Sequence, residues 1–501
     1  MLTALWAARQ PERTAIFSVD GDRTFAELNA NANRLVRALR ARGVQPGDGV
    51  ALMSANRPEF VETWVAAQRA GLRLTTVNWH LTGYEAGYIV DNCEATAFVA
   101  HARFADAARE AAKLSPRLRA CIAFGGDIDG FERWDDVVSG DDADIADPTV
   151  GGLMLYTSGT TGRPKGVHRK PEARAALVGG ATMMYVADQH VHLCTGPLYH
   201  TAPLVLSLAP AASHGVPIVL MDGWDARATL ALVEKHRVTH THMVPTMFHR
   251  MLSLPDEVKA GADLSSLLMV LHGAAPCPVE VKQRLLEWLG PIVWEYYGAT
   301  EGAGTVVSPK EWLEKPGTVG RVNPADHIRI LDDDGNEVDA SAIGTVYLKS
   351  PADPFDYFNA PEKTEGAYRG SYFTLGDVGY VDEDGYLFLT DRSAHLIISG
   401  GVNIYPAEIE AALLGHPAVG DVGVVGVPDD EWGEIVVAAV ELQPDAVPSP
   451  ELGAELVEWC RGRIAHYKCP RRVVFVAELP RHDNGKLYKH QLREQLRRDF
   501  E

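Results

Sequence analysis

The sequence predicts an α/β protein: a large N-terminal domain of layered α/β subdomains plus a β-rich subdomain, then a small α+β C-terminal domain. Three observations predict it. Apolar runs alternate with amphipathic helical patterns through the first hundred residues and again over 216–244, the rhythm of parallel sheet covered by helices. The pattern changes near 330, where Leu331-Asp-Asp-Asp-Gly335 and Val381-Asp-Glu-Asp-Gly385 read as turns between β-rich runs. The last part has its own α+β pattern. A boundary at 391 divides the chain into 1–391 and 392–501, because Asp391-Arg392 is expected to follow the last strand of the β-rich region.

The elements follow in order. Thr24-Phe25-Ala26-Glu27 has the form of a capping box, and Leu28, Ala32, Leu35, Val36 and Leu39 follow at helical spacing until Gly43. Val50–Met53 is a short apolar strand, and Asn56-Arg57-Pro58 opens a helix ending near Gly71. From Leu193 to Met221 there is no Asp, Glu, Lys or Arg, but four prolines interrupt the stretch. It is therefore too broken to cross a bilayer and reads as strand–loop–helix–strand in a core. Strand Val216–Leu220, helix 225–236 and strand Val238–Val244 come next. The C-terminal part reads as helix 406–414, strands 420–427 and 434–442, helix 451–464 and strand 472–477.

Composition narrows the function classes. The 501 residues are 46% apolar and 23% charged, which excludes a disordered chain and a coiled coil. The net charge of −20 would repel nucleic acid or an anionic membrane, so a polyanion must meet a local basic site. Six cysteines without CxxC spacing read as free thiols, and Met1–Ala8 lacks a basic leader, so a cytoplasmic protein is expected. Charge splits the C-terminal part. Ser393–Cys460 holds twelve acidic residues and no Lys or Arg, whereas Arg461–Arg498 holds eleven basic residues against three acidic. That basic stretch is either a solvated face or a surface near a phosphate-rich ligand.

The strongest local signal follows the apolar strand Gly152–Tyr156: Thr157-Ser158-Gly159-Thr160-Thr161-Gly162-Arg163-Pro164-Lys165-Gly166. Its glycines let N–H groups converge on an anion, its hydroxyls add donors, and Arg163 and Lys165 add charge. It is not a Walker A loop, because glycine follows the lysine and the glycine spacing differs.

With this loop, four further motifs in order resemble the acyl-adenylate-forming superfamily, closest to bacterial acyl-CoA synthetases. They are Tyr296-Tyr297-Gly298-Ala299-Thr300-Glu301, Tyr372-Phe373-Thr374-Leu375-Gly376-Asp377, Asp391-Arg392 with Ile398–Glu410, and Asn484-Gly485-Lys486-Leu487 after Leu479-Pro480-Arg481. The resemblance implies an ATP-dependent acid–CoA ligase using Mg²⁺. A carboxylate attacks the α-phosphate of ATP, pyrophosphate leaves, and a thiol of CoA then takes the acyl group from AMP. The phosphate loop would hold the β- and γ-phosphates and Glu301 the Mg²⁺. Thr300 would bond the α-phosphate, and Lys486 would bridge it to the substrate carboxylate. Gly273-Ala274-Ala275-Pro276 would lie against adenine with Tyr297 on the other face. Asp377 and Arg392 would hold the ribose. The C-terminal domain would be mobile, rotating about a hinge to bring Ser399-Gly400-Gly401 to the pantetheine tunnel. The basic stretch after Arg461 would face CoA phosphates. His200 would gate the acyl site; read alone, it is equally a buried structural histidine. The histidine pairs 190/192 and 240/242 lack a third ligand, so no metal is expected there.

Two positions depart from the family pattern. Ala394 stands at the hinge, where Lys or Asp is usual, and Leu375 replaces a threonine in the ribose motif. Tyr199-His200-Thr201 offers no carboxylate for a substrate amine, and Thr201–Leu204, Met243–Thr246 and His272–Ala274 are apolar or neutral. The substrate expected is therefore a hydrophobic carboxylic acid: fatty, steroid side-chain or aryl. The alternatives are an acyl-AMP ligase loading a carrier protein, or a nucleotide-binding protein impaired in turnover. The sequence leaves the acid, the pathway and the oligomeric state open, a homodimer included.

Overall fold

The computed structural model describes residues 2–157, 164–169, 184–332, 334–350, 354–392, 395–399, 402–429, 432–481, 485 and 487–500. Within these, five sheets form the frame. A six-stranded sheet, wholly parallel, has the order Glu132–Arg133, Ala120–Phe124, Ala95–His101, Gly49–Met53, Arg73–Val77, Gly152–Leu153. An eight-stranded sheet runs Gly302–Val307, Val293–Ala299, Met269–His272, His240–Met243, His192–Cys194, Ile218–Leu220, Thr14–Phe17, Arg23–Thr24. Its inner strands are parallel and its two edge pairings antiparallel.

Both sheets are covered by helices, and local chemistry explains where those begin. Thr24 and Glu27 form the expected capping box on helix Phe25–Ala41, with each side chain accepting from the other's backbone N–H. Pro58 opens helix Pro58–Arg69, and Asp225 caps helix Ala226–His236. Strand Gly49–Met53 is buried at every position, so its run is continuously apolar rather than alternating. The charge-free stretch from Leu193 folds as expected: strand His192–Cys194, a wide π-wound turn Ala202–Leu208 continuing as helix Ala209–Ser213, then strand Ile218–Leu220. No helix among the described residues is long and apolar enough to cross a membrane.

The β-rich region is an antiparallel sheet centred on strands Gly344–Lys349, Tyr372–Val381 and Tyr386–Arg392. Here one expectation is corrected. Asp391-Arg392 does not follow the last strand but completes it: Arg392 pairs with Asp377 and Asp391 with Val378. Ladder bonding carries the strand to Arg392 and sets the two expected ribose residues side by side. A three-stranded sheet joins Leu155–Thr157, Lys165–His168 and Asp356–Tyr357.

The C-terminal sheet is built on the long hairpin Val419–Asp429 and Gly433–Leu442 with helices Pro406–Leu414, Pro450–Arg461 and Lys489–Phe500. The helix expected over 451–464 stops at Arg461, where Gly462 follows. The charge split seen in sequence closes in space. Lys468 pairs with Glu408, Arg481 with Asp421, Lys489 with Glu410 and Arg493 with Glu434. Much of the basic stretch thus neutralises the acidic one.

One buried ion pair underlies the eight-stranded sheet. Lys282, fully buried on helix Val279–Leu289, places Nζ 2.6 Å from Glu295 Oε2 and 4.7 Å from the centre of the Trp312 ring. Removing one partner of such a pair strands a buried charge. Lys282→Met is expected to cost about 3–5 kcal/mol, read as a lowered urea midpoint, and Lys282→Met/Glu295→Leu to recover most of it.

Candidate active site

A cavity of about 1830 Å³ opens at the carboxyl ends of the eight-stranded sheet, where ligands gather in α/β folds. Strand Val293–Ala299 delivers the segment at its centre, and a register shift between Tyr297 and Gly298 turns the chain toward the cavity. Three side-chain hydrogen bonds then fix this segment. Tyr297 Oη donates to Asp377 Oδ2 at 2.7 Å. Thr300 Oγ1 and Thr201 Oγ1 lie 2.7 Å apart. Glu301 Oε1 accepts from Tyr357 Oη at 2.9 Å. The Arg169 guanidinium donates to the Glu301 carbonyl from within the core.

Glycine is required where Tyr297 packs: a Cβ on Gly304 would lie 2.5 Å from its Cδ1. Ala274 takes a left-handed φ of 67°, an uncommon conformation for a residue with a Cβ, and stands on the cavity wall. Gly273 beside it lies so close to Tyr296 that a Cβ would fall 2.6 Å from the ring.

Thr157 and Lys165, the residues on either side of the expected phosphate loop's glycines, face each other across an antiparallel pair, and both line the cavity. Lys165 Nζ sits 4.6 Å from the centre of the Tyr357 ring, whose hydroxyl holds Glu301. One tyrosine thus spaces the cation from the carboxylate. Burial, then Lys363, pushes the Lys165 ammonium below its ordinary value.

The structure brings together Thr157, Lys165, His200, Ala274, Tyr297, Gly298, Ala299, Thr300 and Glu301 on one cavity. Gly273, Ala275, Pro276, Asp377 and Ser399 do not line it. Asp377 sits behind Tyr297, and Ser399 is paired in strand Ile397–Ser399 with Val402 and Gly433. Ser158, Gly159, Thr160, Thr161, Gly162, Ala394, Gly400, Gly401 and Lys486 lie outside the described residues, as does the Arg392 side chain. The residues flanking 486 are informative: Leu487 lines the cavity, and a Cβ on Gly485 would fall 2.1 Å from Thr246 Oγ1. Sequence reasoning missed Tyr357 and assigned no role to Thr201. Phe355-Asp356-Tyr357-Phe358 matches no motif, and only the sheet pairing with Lys165–His168 reveals its place.

The acyl side of the cavity follows one face of Ala202–Ser213, with Ala202, Val205, Leu206, Ala209 and Ser213 opposite Met269, Leu271, Trp294 and Tyr296. Leu204 and His272, which the sequence placed near the acyl site, are instead fully buried in the core. His242 lines the cavity with Nε2 3.1 Å from Tyr296 Oη.

Comparison with known proteins agrees with this geometry. Residues 4–353 match the family described as AMP-binding enzyme, and residues 408–486 match the AMP-binding enzyme C-terminal domain. The chain is an AMP-binding enzyme. It is 35% identical over 505 residues to an indoleacetate–CoA ligase of Aromatoleum aromaticum, covering 98% of this chain and 97% of the relative. It is 33% identical over 488 residues to a long-chain-fatty-acid–CoA ligase of Mycobacterium tuberculosis, covering 95% and 94%. An anthranilate CoA ligase solved in complex with anthranoyl-AMP superposes with a TM-score of 0.90 at 25% identity, covering 100% of this chain and 97% of that one. The enzyme is therefore an AMP-forming acyl-CoA synthetase acting on a carboxylic acid with ATP, Mg²⁺ and CoA.

The residues present fit these groups. Glu301 is a buried carboxylate on the cavity wall, a hard oxygen donor of the kind Mg²⁺ takes when phosphates supply the rest of its shell.

The strands behind the cavity carry a pH dependence. Burial pushes His242 down to about 4, burial and then His190 push His240 to about 4, and burial sets His192 and His272 well below the ordinary value. As pH falls below about 6.5 the unfolded chain takes up protons that these imidazoles refuse, so their stability is present above that pH and lost on the way to about 4. Glu62, pushed up by burial to about 7, works in the opposite sense. Burial also pushes up Glu59, Glu295 and Glu441, but it pushes down His101, His190, His236 and His249 as well, so the imidazoles outnumber the carboxyls and the melting temperature is expected to fall between pH 7 and pH 5, read by thermal shift.

Proposed function

We propose that the enzyme activates a hydrophobic carboxylic acid with an uncharged tail, a fatty, steroid side-chain or aryl acid, as its acyl-AMP and then passes the acyl group to CoA. One observation carries this reading: the apolar lobe along Ala202–Ser213 opens directly onto Thr300 and Glu301. Among the described residues of that lobe there is no Asp, Glu, Lys or Arg. The twelve residues from Ala202 to Ser213 span about 15 Å, room for a fused ring or an extended alkyl chain. The relatives named for indoleacetate, long-chain fatty acids and anthranilate support the same range.

The roles follow the geometry. The acid's tail enters the apolar lobe past His200, leaving its carboxylate at Thr300. Attack at the α-phosphorus expels pyrophosphate, and negative charge gathers between nucleophile and phosphate. Cations and N–H groups placed there lower the barrier. Thr300 donates to the α-phosphate, and Lys486 bridges it to the carboxylate. Residues 157–162 and Lys165 hold the outer phosphates, and Glu301 holds Mg²⁺, which neutralises phosphate charge when bound. Adenine lies between Tyr297 and Ala274, the residue of the Gly273–Pro276 segment that stands on the cavity wall, with Arg392 on the ribose and Asp377 holding Tyr297 from behind. The division into 1–391 and 392–501 falls one residue before the end of the strand Tyr386–Arg392. The domain over 392–501 then moves to bring Ser399, Gly400 and Gly401 to the thiol path, and attack by CoA releases AMP.

The test is pyrophosphate release with Mg-ATP across a panel of aryl, fatty and steroid side-chain acids, with and without CoA. Multiple turnover only when acid and CoA are both present is expected. Release stopping near one equivalent and indifferent to CoA would point to a carrier-protein acceptor instead. Lys486→Ala is expected to abolish adenylation while a preformed acyl-adenylate still reacts with CoA. Loss of both half-reactions in the folded variant would remove that role.

A further inference from the structure

We propose that Asn56 and Thr76, both on the first parallel sheet's side of the molecule, are positioning residues for the chemistry at Thr300. They set the segment Gly196–Thr201, which carries His200 and ends on the Thr201–Thr300 hydrogen bond. The inference rests on the acid-activating reading above and adds two residues that no motif includes.

The segment leaves the strand His192–Cys194 and must reach the helical stretch beginning at Ala202. It is short and folds tightly on itself. His200 N–H donates to the Pro197 carbonyl at 3.1 Å, and a Cβ on Gly196 would fall 2.6 Å from Pro203 Cγ. Its outer backbone groups are met from across the domain. Asn56 uses both ends of its amide: Nδ2 donates to the Gly196 carbonyl at 2.9 Å, and Oδ1 accepts from Leu198 N–H at 2.9 Å. Thr76 Oγ1 donates to the Tyr199 carbonyl at 2.8 Å. Asn56, Thr76, Leu198 and Tyr199 are all buried, Thr76 and Tyr199 against the wall of the cavity, so losing either anchor leaves a backbone group of the segment without its protein partner.

The anchors are themselves held. Thr76 lies within strand Arg73–Val77, paired to Met53's strand. Asn56 precedes the helix opened by Pro58, and its neighbour Arg57 is tied to Asp222 at 2.6 Å. At the other end of the segment, Thr201 Oγ1 meets Thr300 Oγ1, and Thr300 lies on the cavity wall. The run from Asn56 and Thr76 through 196–201 to Thr300 is a strap joining the first parallel sheet to the reacting end of the second. Its loosening would displace His200 and Thr300 together while leaving the Tyr297–Asp377 contact in place.

The deciding variants are Thr76→Val, which keeps shape and removes the donor, and Thr76→Ser, which restores it. Acid-dependent ATP–pyrophosphate exchange and amide hydrogen exchange are read on the full chain. For Thr76→Val, kcat/KM for the acid is expected to fall roughly tenfold while KM for ATP stays within about twofold, and Thr76→Ser to recover the loss. Asn56→Asp, which keeps the acceptor and loses the donor, should follow Thr76→Val. Amide exchange should rise in Thr76→Val at 196–201 and also at 298–301, and return in Thr76→Ser. Unchanged exchange at 298–301, or a loss that serine does not rescue, would overturn the proposal. Should the wild-type chain show no exchange with any acid, the acid-activating reading fails, and amide exchange alone still decides the strap.

Discussion

The structure depends on the placement of one segment, Tyr297–Glu301, at the carboxyl end of strand Val293–Ala299. Three side-chain hydrogen bonds bind it to three separate parts of the fold: Asp377 in the antiparallel sheet, Thr201 before the acyl-lobe helix, and Tyr357 in the three-stranded sheet. Each partner brings its own function. Asp377 neighbours Arg392 in the sheet ladder, Thr201 follows His200, and Tyr357 carries Lys165 on its ring. Three sheets and the loop before Ala202 therefore meet on five consecutive residues. Small shifts in any one are felt at the reacting atoms, where placement to a fraction of an ångström governs rate.

Burial makes this arrangement specific. Asp377, Glu301 and Tyr297 expose little surface, and their hydrogen bonds lie between the cavity wall and the core, where they are stronger than in water. The same constraint explains the local glycines. Gly302 sits where a Cβ would fall 2.5 Å from the Phe373 ring, and Gly304 where one would meet Tyr297. Bulk at either position would push the segment away from the antiparallel sheet that holds Asp377. The acyl lobe is built differently, from apolar side chains along one helical face, and its polar lining is neutral.

How much of this was legible in the sequence follows from the range of each signal. Elements set by short-range chemistry read well: the capping box at Thr24 and Glu27, the proline at 58 and the turn at Asp382–Gly385 all fall where the pattern put them. The motif at 296–301 was visible because its chemistry is concentrated in consecutive residues. Tyr357, Asn56 and Thr76 were silent, since each acts through one long-range contact that leaves no local pattern. The strand ending at Arg392 was set one step short because Asp-Arg reads locally as a turn, whereas the ladder to Asp377 and Val378 is tertiary. The pairing of Lys468, Arg481, Lys489 and Arg493 with the acidic stretch before them was silent for the same reason, since composition does not record pairing.

The central claim is that one continuous chamber holds nucleotide and acid at once, joined at Thr300. The most direct measurement is calorimetric binding of a stable acyl-sulfamoyl adenosine carrying an aryl or alkyl tail, compared with AMP and with the free acid. If the two lobes are continuous, the joined ligand is expected to bind at least about a hundredfold more tightly than AMP, because one association step then collects both sets of contacts. Equal affinity for the joined ligand and AMP, whatever the tail, would contradict the account.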